Sequence, residues 1–141
     1  MEKLYSQSFT IQGKHFFDAG RVSTEIKSML KELGIRGEIV RRVAIATYEA
    51  EMNVVMYAFE ATVTLELTPR AIRIVVNDRG PGIPDVKLAM QEGFSTATPE
   101  MREMGFGAGM GLPNIQRNSD EFHIGSVVGI GTKLEITIYI N

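Results

Sequence analysis

The chain has 141 residues, 44% of them hydrophobic and 23% charged, with a net charge of −2 and no cysteine. That length suits a single domain over residues 1–141 with a sizeable core, and the near-neutral balance gives no electrostatic footprint for nucleic acid or an anionic membrane. Disulfides and thiolate metal sites are excluded, no apolar run opens the chain as a signal peptide would, and no stretch is long enough to span a bilayer, so the expected setting is cytoplasmic.

In chain order, Ser8 to Gln12 reads as a short strand with Phe9 and Ile11 on one side, and Gly13 turns the chain toward His15-Phe16-Phe17. From Asp18, placed as an N-cap, Val22, Ile26, Met29, Leu30 and Leu33 recur at helical spacing, and Gly34 fits the C-terminal cap. A second, alanine-rich helix is expected from about Gly37 to Phe59, burying Ile39, Val40, Val43, Ala46, Ala50 and Val54. Val63, Leu65 and Leu67, then Ile72, Ile74 and Val76, alternate with mostly polar residues around Thr68-Pro69-Arg70, which predicts a hairpin with one face on the core. Asn77 to Gly82 breaks it, and Asp85 to Gln91 suits a short helix. Glu121 to Ser126 and Thr132 to Ile140 read as closing strands, the last with Leu134, Ile136, Ile138 and Ile140 on its core face. The expected class is α+β: a two-layer sandwich with helices on one face of a mostly antiparallel, mixed sheet.

One stretch stands apart. From Gly105 to Gly111, four glycines alternate with Phe106, Ala108 and Met110, and Leu112-Pro113 follows. Proline favours the first turn of a helix, so a glycine loop feeds a helix at about Leu112 to Asn118. Such a junction points free amides and the positive end of the helix dipole at an anion such as phosphate; the bland alternative is a flexible linker, although linkers of that kind are usually serine-rich. It is not a Walker loop, because no lysine occurs between Lys87 and Lys133. Nor is it the dinucleotide fingerprint, whose sixth position falls on Met110 or Leu112 where glycine is needed.

Three further features carry chemistry. Glu49 and Asn53 lie one helical turn apart on one face, while Glu51 points away. Carboxylate and amide together suit a general base beside a hard-cation ligand, with Mg²⁺ held by one amide oxygen and substrate phosphates; a solvated polar pair is the alternative. Asp78 ends a strand just before Gly80 and Gly82, which leave room for a flat ligand whose hydrogen bond Asp78 accepts; alternatively it is an Asx turn. Gly129-Ile130-Gly131-Thr132 opens the last strand, where a plain hairpin turn is the alternative.

In this order and at these separations, Glu49-x-x-x-Asn53, Asp78-x-Gly80-x-Gly82, the Gly105–Gly111 run and Gly129-x-Gly131-Thr132 resemble the GHKL ATPase superfamily of DNA gyrase, sensor histidine kinases and mismatch-repair ATPases. The resemblance covers about Phe9 to Ile140 and implies a Bergerat-type ATP-binding fold. It implies that Asp78 binds the adenine amine with help from Gly82 and Thr132, that Asn53 holds Mg²⁺ and that Glu49 is the catalytic base. It further implies that Gly107, Gly109 and Gly111 wrap the phosphates, with Gly80, Gly105, Met110 and Leu112 completing the ATP-binding set, and that Gly93 to Gly105 form the ATP lid. Within the superfamily, Gly80-Pro81-Gly82-Ile83-Pro84-Asp85, Gly93-Phe94-Ser95-Thr96, Gly107-Ala108-Gly109 and Asp120-Glu121-Phe122 look like the anti-sigma-factor serine/threonine kinases of stress-signalling complexes. That family phosphorylates small anti-anti-sigma proteins of the STAS fold, which makes such a protein the implied partner, with a sigma factor or a phosphatase regulator as further partner classes. The chain departs from the pattern in a longer glycine run and a lid insertion, Thr98 to Met104. A stand-alone histidine-kinase catalytic domain and a nucleotide-gated sigma-factor-binding module are the rival readings. His15 and His123 are expected to be structural, in strand-like surroundings, and Lys87 and Arg102 are both available to steady the γ-phosphate.

Overall fold

The computed structural model describes residues 5–91, 99 and 111–140. The elements are β1 (Tyr5–Gln12), a 3₁₀ turn (Phe16–Asp18), α1 (Arg21–Glu32), α2 (Gly37–Tyr57), β2 (Glu60–Leu67), β3 (Ala71–Arg79), α3 (Val86–Ala89), α4 (Gly111–Asn118), β4 (Glu121–Val127) and β5 (Gly131–Tyr139). The strands form one sheet in the order β1-β2-β3-β5-β4. All four pairings are antiparallel, so the expected mixed sheet contains no parallel pair among the described residues.

Register explains the core. Phe9 faces Val63, Val63 faces Val76, Val76 faces Leu134 and Leu134 faces Ile124, a row of apolar side chains across all five strands. Leu65, Ile74, Ile136 and Phe122 make the next row, and both lie on one face because strand side chains alternate. Helix α2 packs on that face, touching β1, β2, β3 and β5, with α1 and α4 against its flanks. Its residues Ile39, Val40, Val43, Ala46, Ala50 and Val54 are buried, as the helical spacing predicts. The opposite sheet face is polar: Arg73 reaches Glu66 at 2.8 Å and Glu135 at 2.5 Å across neighbouring strands.

Several boundaries differ from expectation. Strand β1 begins earlier, at Tyr5, because its pairing with β2 continues to Leu67. Helix α2 stops at Tyr57, since Ala58 turns extended and the Phe59 N–H donates to the Arg79 carbonyl. At the C-terminus of α1, the Gly34 N–H donates to the Lys31 carbonyl and the Ile35 N–H to the Leu30 carbonyl, the reciprocal pair of a Schellman cap. The N-terminus of α1 is not capped by Asp18, which belongs to the 3₁₀ turn; Gly20 occupies the cap position and offers no side chain. The open amides are taken from another helix: Glu51 accepts from Val22 N at 3.1 Å and from Ser23 N at 3.0 Å. Glu51 is only 2% exposed.

A buried carboxylate that holds two amides is costly to truncate, because both donors lose their partner. Glu51→Ala is expected to lower unfolding free energy by about 2–3 kcal/mol, with Glu51→Gln intermediate. Urea denaturation followed by circular dichroism checks this, and equal midpoints for all three proteins would remove the cap from the account.

Candidate functional site

Asp78 sits near the C-terminal end of β3, on the inward face that carries Ile72, Ile74 and Val76 earlier in the strand. Where those side chains meet the core, Asp78 meets a corner built by the β4–β5 hairpin. Its Oδ1 accepts from Thr132 N at 3.0 Å. The backbone of the following turn is fastened to the same hairpin: Gly80 N donates to the Ile130 carbonyl and Gly129 N to the Pro81 carbonyl. Two glycines make the approach possible. A Cβ on Gly131 would lie 2.0 Å from the Asp78 carbonyl oxygen, and one on Gly82, whose φ is +75°, would lie 2.5 Å from the Val127 carbonyl oxygen. Both are impossible contacts, so Gly82 and Gly131 are fixed by how closely the chain segments approach.

Ser126, which the sequence did not single out, completes the corner. Its Oγ accepts from Ile83 N at 2.7 Å and lies 2.9 Å from Thr132 Oγ1. Strand register puts Ser126 opposite Thr132, and that pairing is readable only once the hairpin turn is placed over Gly129 and Gly131. Burial pushes the Asp78 carboxyl above its ordinary value, and the Thr132 N–H draws it partly back.

The second cluster lies on α2. Glu49 and Asn53 share the face turned toward α4, where a Cβ on Gly111 would be 3.4 Å from Asn53 Oδ1 and 3.6 Å from Glu49 Oε2. Asn114, also unmarked in the sequence reading, donates from Nδ2 to Glu49 Oε2 at 3.4 Å. Burial raises the Glu49 carboxyl, and the Asn114 bond offsets part of that rise. The two clusters lie toward the same end of α2: Asn53 is five residues, roughly 7.5 Å of helix rise, before Ala58, whose Cα is 3.0 Å from the Cβ position of Gly80.

The other residues singled out by the sequence lie away from these two clusters or outside the described residues. Leu112 is buried in the core, so its side chain packs and only its backbone is left for a ligand. Pro113 is the third residue of α4, still within the first turn. Gly105, Gly107, Gly109, Met110, Arg102 and the lid expected over Gly93 to Gly105 lie outside the described residues, apart from Pro99. Lys87 is exposed in the last turn of α3. His123 is on β4 as expected, whereas His15 lies in the turn after β1, exposed and 3.9 Å from Asp18.

The family signature described as a histidine kinase-like ATPase domain matches residues 18–138, a span that contains both clusters. The chain belongs to the histidine kinase-like ATPase family. Among its relatives, the serine/threonine-protein kinase RsbT of Bacillus subtilis is 34% identical over 77% of this chain and 79% of its own. An anti-sigma F factor of Caldanaerobacter subterraneus is 33% identical over 83% of this chain and 82% of its own. A second anti-sigma F factor, from a Thermoanaerobacter species, is 31% identical over the same shares. This histidine kinase-like ATPase has no helix, among the described residues, that is long and apolar enough to cross a membrane.

The raised Asp78 carboxyl yields a prediction of known sign. Between the ordinary carboxylate value and the raised one, the folded chain holds more protons than the unfolded chain, so this group's contribution to stability falls as pH rises through that window. Asp78→Asn keeps an oxygen for Thr132 N and removes the half-buried charge. The unliganded variant is expected to melt no lower than the parent at pH 7, and any advantage should vanish on acidification; thermal melts at pH 4.5 and 7 check it. A variant that melts well below the parent at pH 7 would give the carboxylate a structural role.

Proposed function

We propose that this ATPase-family chain is a cytoplasmic, single-domain ATP-dependent serine/threonine kinase that phosphorylates a small anti-anti-sigma protein of the STAS fold, with a sigma factor or a phosphatase regulator as further partner. The observation that carries the proposal is the meeting of Glu49, Asn53 and Gly111: a carboxylate and an amide face the first residue of a helix that follows a glycine run. Similarity to a serine/threonine kinase and to anti-sigma factors supports the acceptor class.

In this reading, the Asp78 carboxylate accepts a hydrogen bond from the adenine amine, and Thr132 and Gly82 shape the pocket beside it. ATP is then preferred to GTP, whose carbonyl at the same place would confront the carboxylate. Gly80 and Gly82 line the base, while Gly105 to Leu112, Met110 included, present backbone amides to the phosphates. The residues also suit Mg²⁺: Asn53 supplies a neutral oxygen beside a carboxylate, a hard-donor set. No cluster of three His, Cys, Asp or Glu exists among the described residues to cage a metal, so nucleotide phosphates would supply most of its other ligands. When bound, Mg²⁺ would neutralise phosphate charge.

Glu49 acts as base. It takes the proton of the acceptor hydroxyl as that oxygen attacks the γ-phosphorus; the bond from phosphorus to the β-γ bridging oxygen breaks, and ADP leaves with the electron pair. A carboxyl raised by burial is the stronger base, provided it is ionised at the working pH. Transfer should therefore fall on the acid side at a pH above that of an ordinary carboxylate.

Glu49→Ala is expected to slow transfer by about 10²–10⁴-fold with ATP affinity kept, whereas Asn53→Ala loses Mg²⁺-dependent binding and turnover together. Isothermal calorimetry and ³²P transfer to a STAS-domain protein measure the two effects. Equal loss of binding in both variants would make the helix face structural.

Asp78→Asn should weaken ATP binding about tenfold or more, the loss of one charge-assisted hydrogen bond; unchanged affinity would overturn the base-recognition role. The similarity to anti-sigma F factors favours a second reading, a nucleotide-gated module that holds a sigma factor without phosphorylating anything. The transfer assay separates the two, and acid stability of the label distinguishes a phosphoserine or phosphothreonine from the phosphohistidine of a histidine kinase.

A further inference from the structure

Helix α4 brings a polar side chain, Asn114, to the α2 face. Asn114 stands one turn into α4, half-buried, with Nδ2 3.4 Å from Glu49 Oε2. Its other end is also engaged: Arg117 Nη1, one turn further on, donates to Asn114 Oδ1 at 3.1 Å. An amide has one accepting and one donating end. With the guanidinium on Oδ1, the donating end must face Glu49. The relay runs from a surface cation through an amide to the carboxylate, and every bond in it has the correct polarity.

We propose that Asn114, oriented by Arg117, is a positioning residue for phosphoryl transfer that holds Glu49 in the rotamer from which it reaches the acceptor oxygen. The inference rests on the reading of Glu49 as general base. Three observations support it. Glu49 Oε1 has no hydrogen-bond partner among the described residues, so the Asn114 bond ties down one oxygen and leaves the other free for a proton. Asn114 comes from the helix whose first residue, Gly111, abuts both Glu49 and Asn53, so the base is referenced to the element expected to meet the phosphates. The bond is long, as catalytic hydrogen bonds often are before substrate binds and tightens them. A glutamate held at one oxygen keeps fewer rotamers, and misplacing a reacting group by about 1 Å can cost about 10²-fold in rate.

The test uses the full chain with Mg²⁺ and ATP, water serving as acceptor, and follows release of ³²P-phosphate under single turnover alongside ATP affinity by calorimetry. Asn114→Ala is expected to slow turnover about tenfold with affinity unchanged. Asn114→Asp has the same shape and still suits Arg117, yet it turns an acceptor toward Glu49, so it should be slower than the alanine variant. A purely packing role predicts the opposite order. In a Glu49→Gln background the cost of Asn114→Ala should disappear, since the residue acts through the carboxylate. Arg117→Gln, an exposed change that does not depend on α4 tolerating a cavity, should slow turnover about threefold by freeing the amide to flip. Parent rates in Asn114→Asp and Arg117→Gln, or an equal Asn114→Ala penalty with and without Glu49, would overturn the proposal. If Glu49→Gln alone turns over at the parent rate, the general-base reading fails instead, and the two failures are told apart.

Discussion

The fold depends on α2 lying across the apolar face of the sheet. Its buried stripe, Val40, Val43, Ala50 and Val54 among others, covers a surface laid down in register by β1, β2, β3, β5 and β4. Area removed from water at this seam drives assembly. With that stripe fixed, the remaining faces of α2 have no freedom of orientation. One presents Glu51 to the amides of α1, and another presents Glu49 and Asn53 to the start of α4. Hydrophobic packing of α2 therefore decides which way its helix positions 49 and 53 face.

The corner at Asp78 works on a different principle. It is held by backbone approach, with Gly82 and Gly131 admitting carbonyls where any side chain would collide. Two carboxyls, Asp78 in this corner and Glu49 between α2 and α4, are partly withdrawn from water, and burial raises both. Among the described residues each has one hydrogen-bond donor, Thr132 N for Asp78 and Asn114 Nδ2 for Glu49. That is a poor arrangement for stability and a good one for meeting a ligand, because a half-buried, partly satisfied carboxylate gains most when an outside donor or proton arrives.

Much of this was legible in the sequence. Strand alternation at Val63-Leu65-Leu67 and Ile72-Ile74-Val76 marked the core face, and helical spacing found both long helices. The turn residues after Asp78 marked the break at the end of β3. Glu49 and Asn53 shared a face by arithmetic alone. What sequence spacing could not reach were contacts between elements distant in the chain. Asp18 was the better local candidate for capping α1, yet Glu51, from the next helix, took both amides. Ser126 became visible only when the hairpin register set it opposite Thr132, and Asn114 only when α4 was seen to lie beside α2. Leu112, grouped with the glycine run by position, was claimed by the core.

The Glu51 bridge also bears on how the molecule opens. A helix capped by its own neighbouring residues frays from the end, each turn a local event. The first turn of α1 is instead fastened to a side chain rooted in the middle of α2, itself sealed beneath the sheet. The Val22 and Ser23 amides can be released only when the two helices part, so their deuterium exchange reports a sub-global opening rather than end fraying. A helix terminus, ordinarily the softest part of such an element, is here tied to a buried side chain of the next helix.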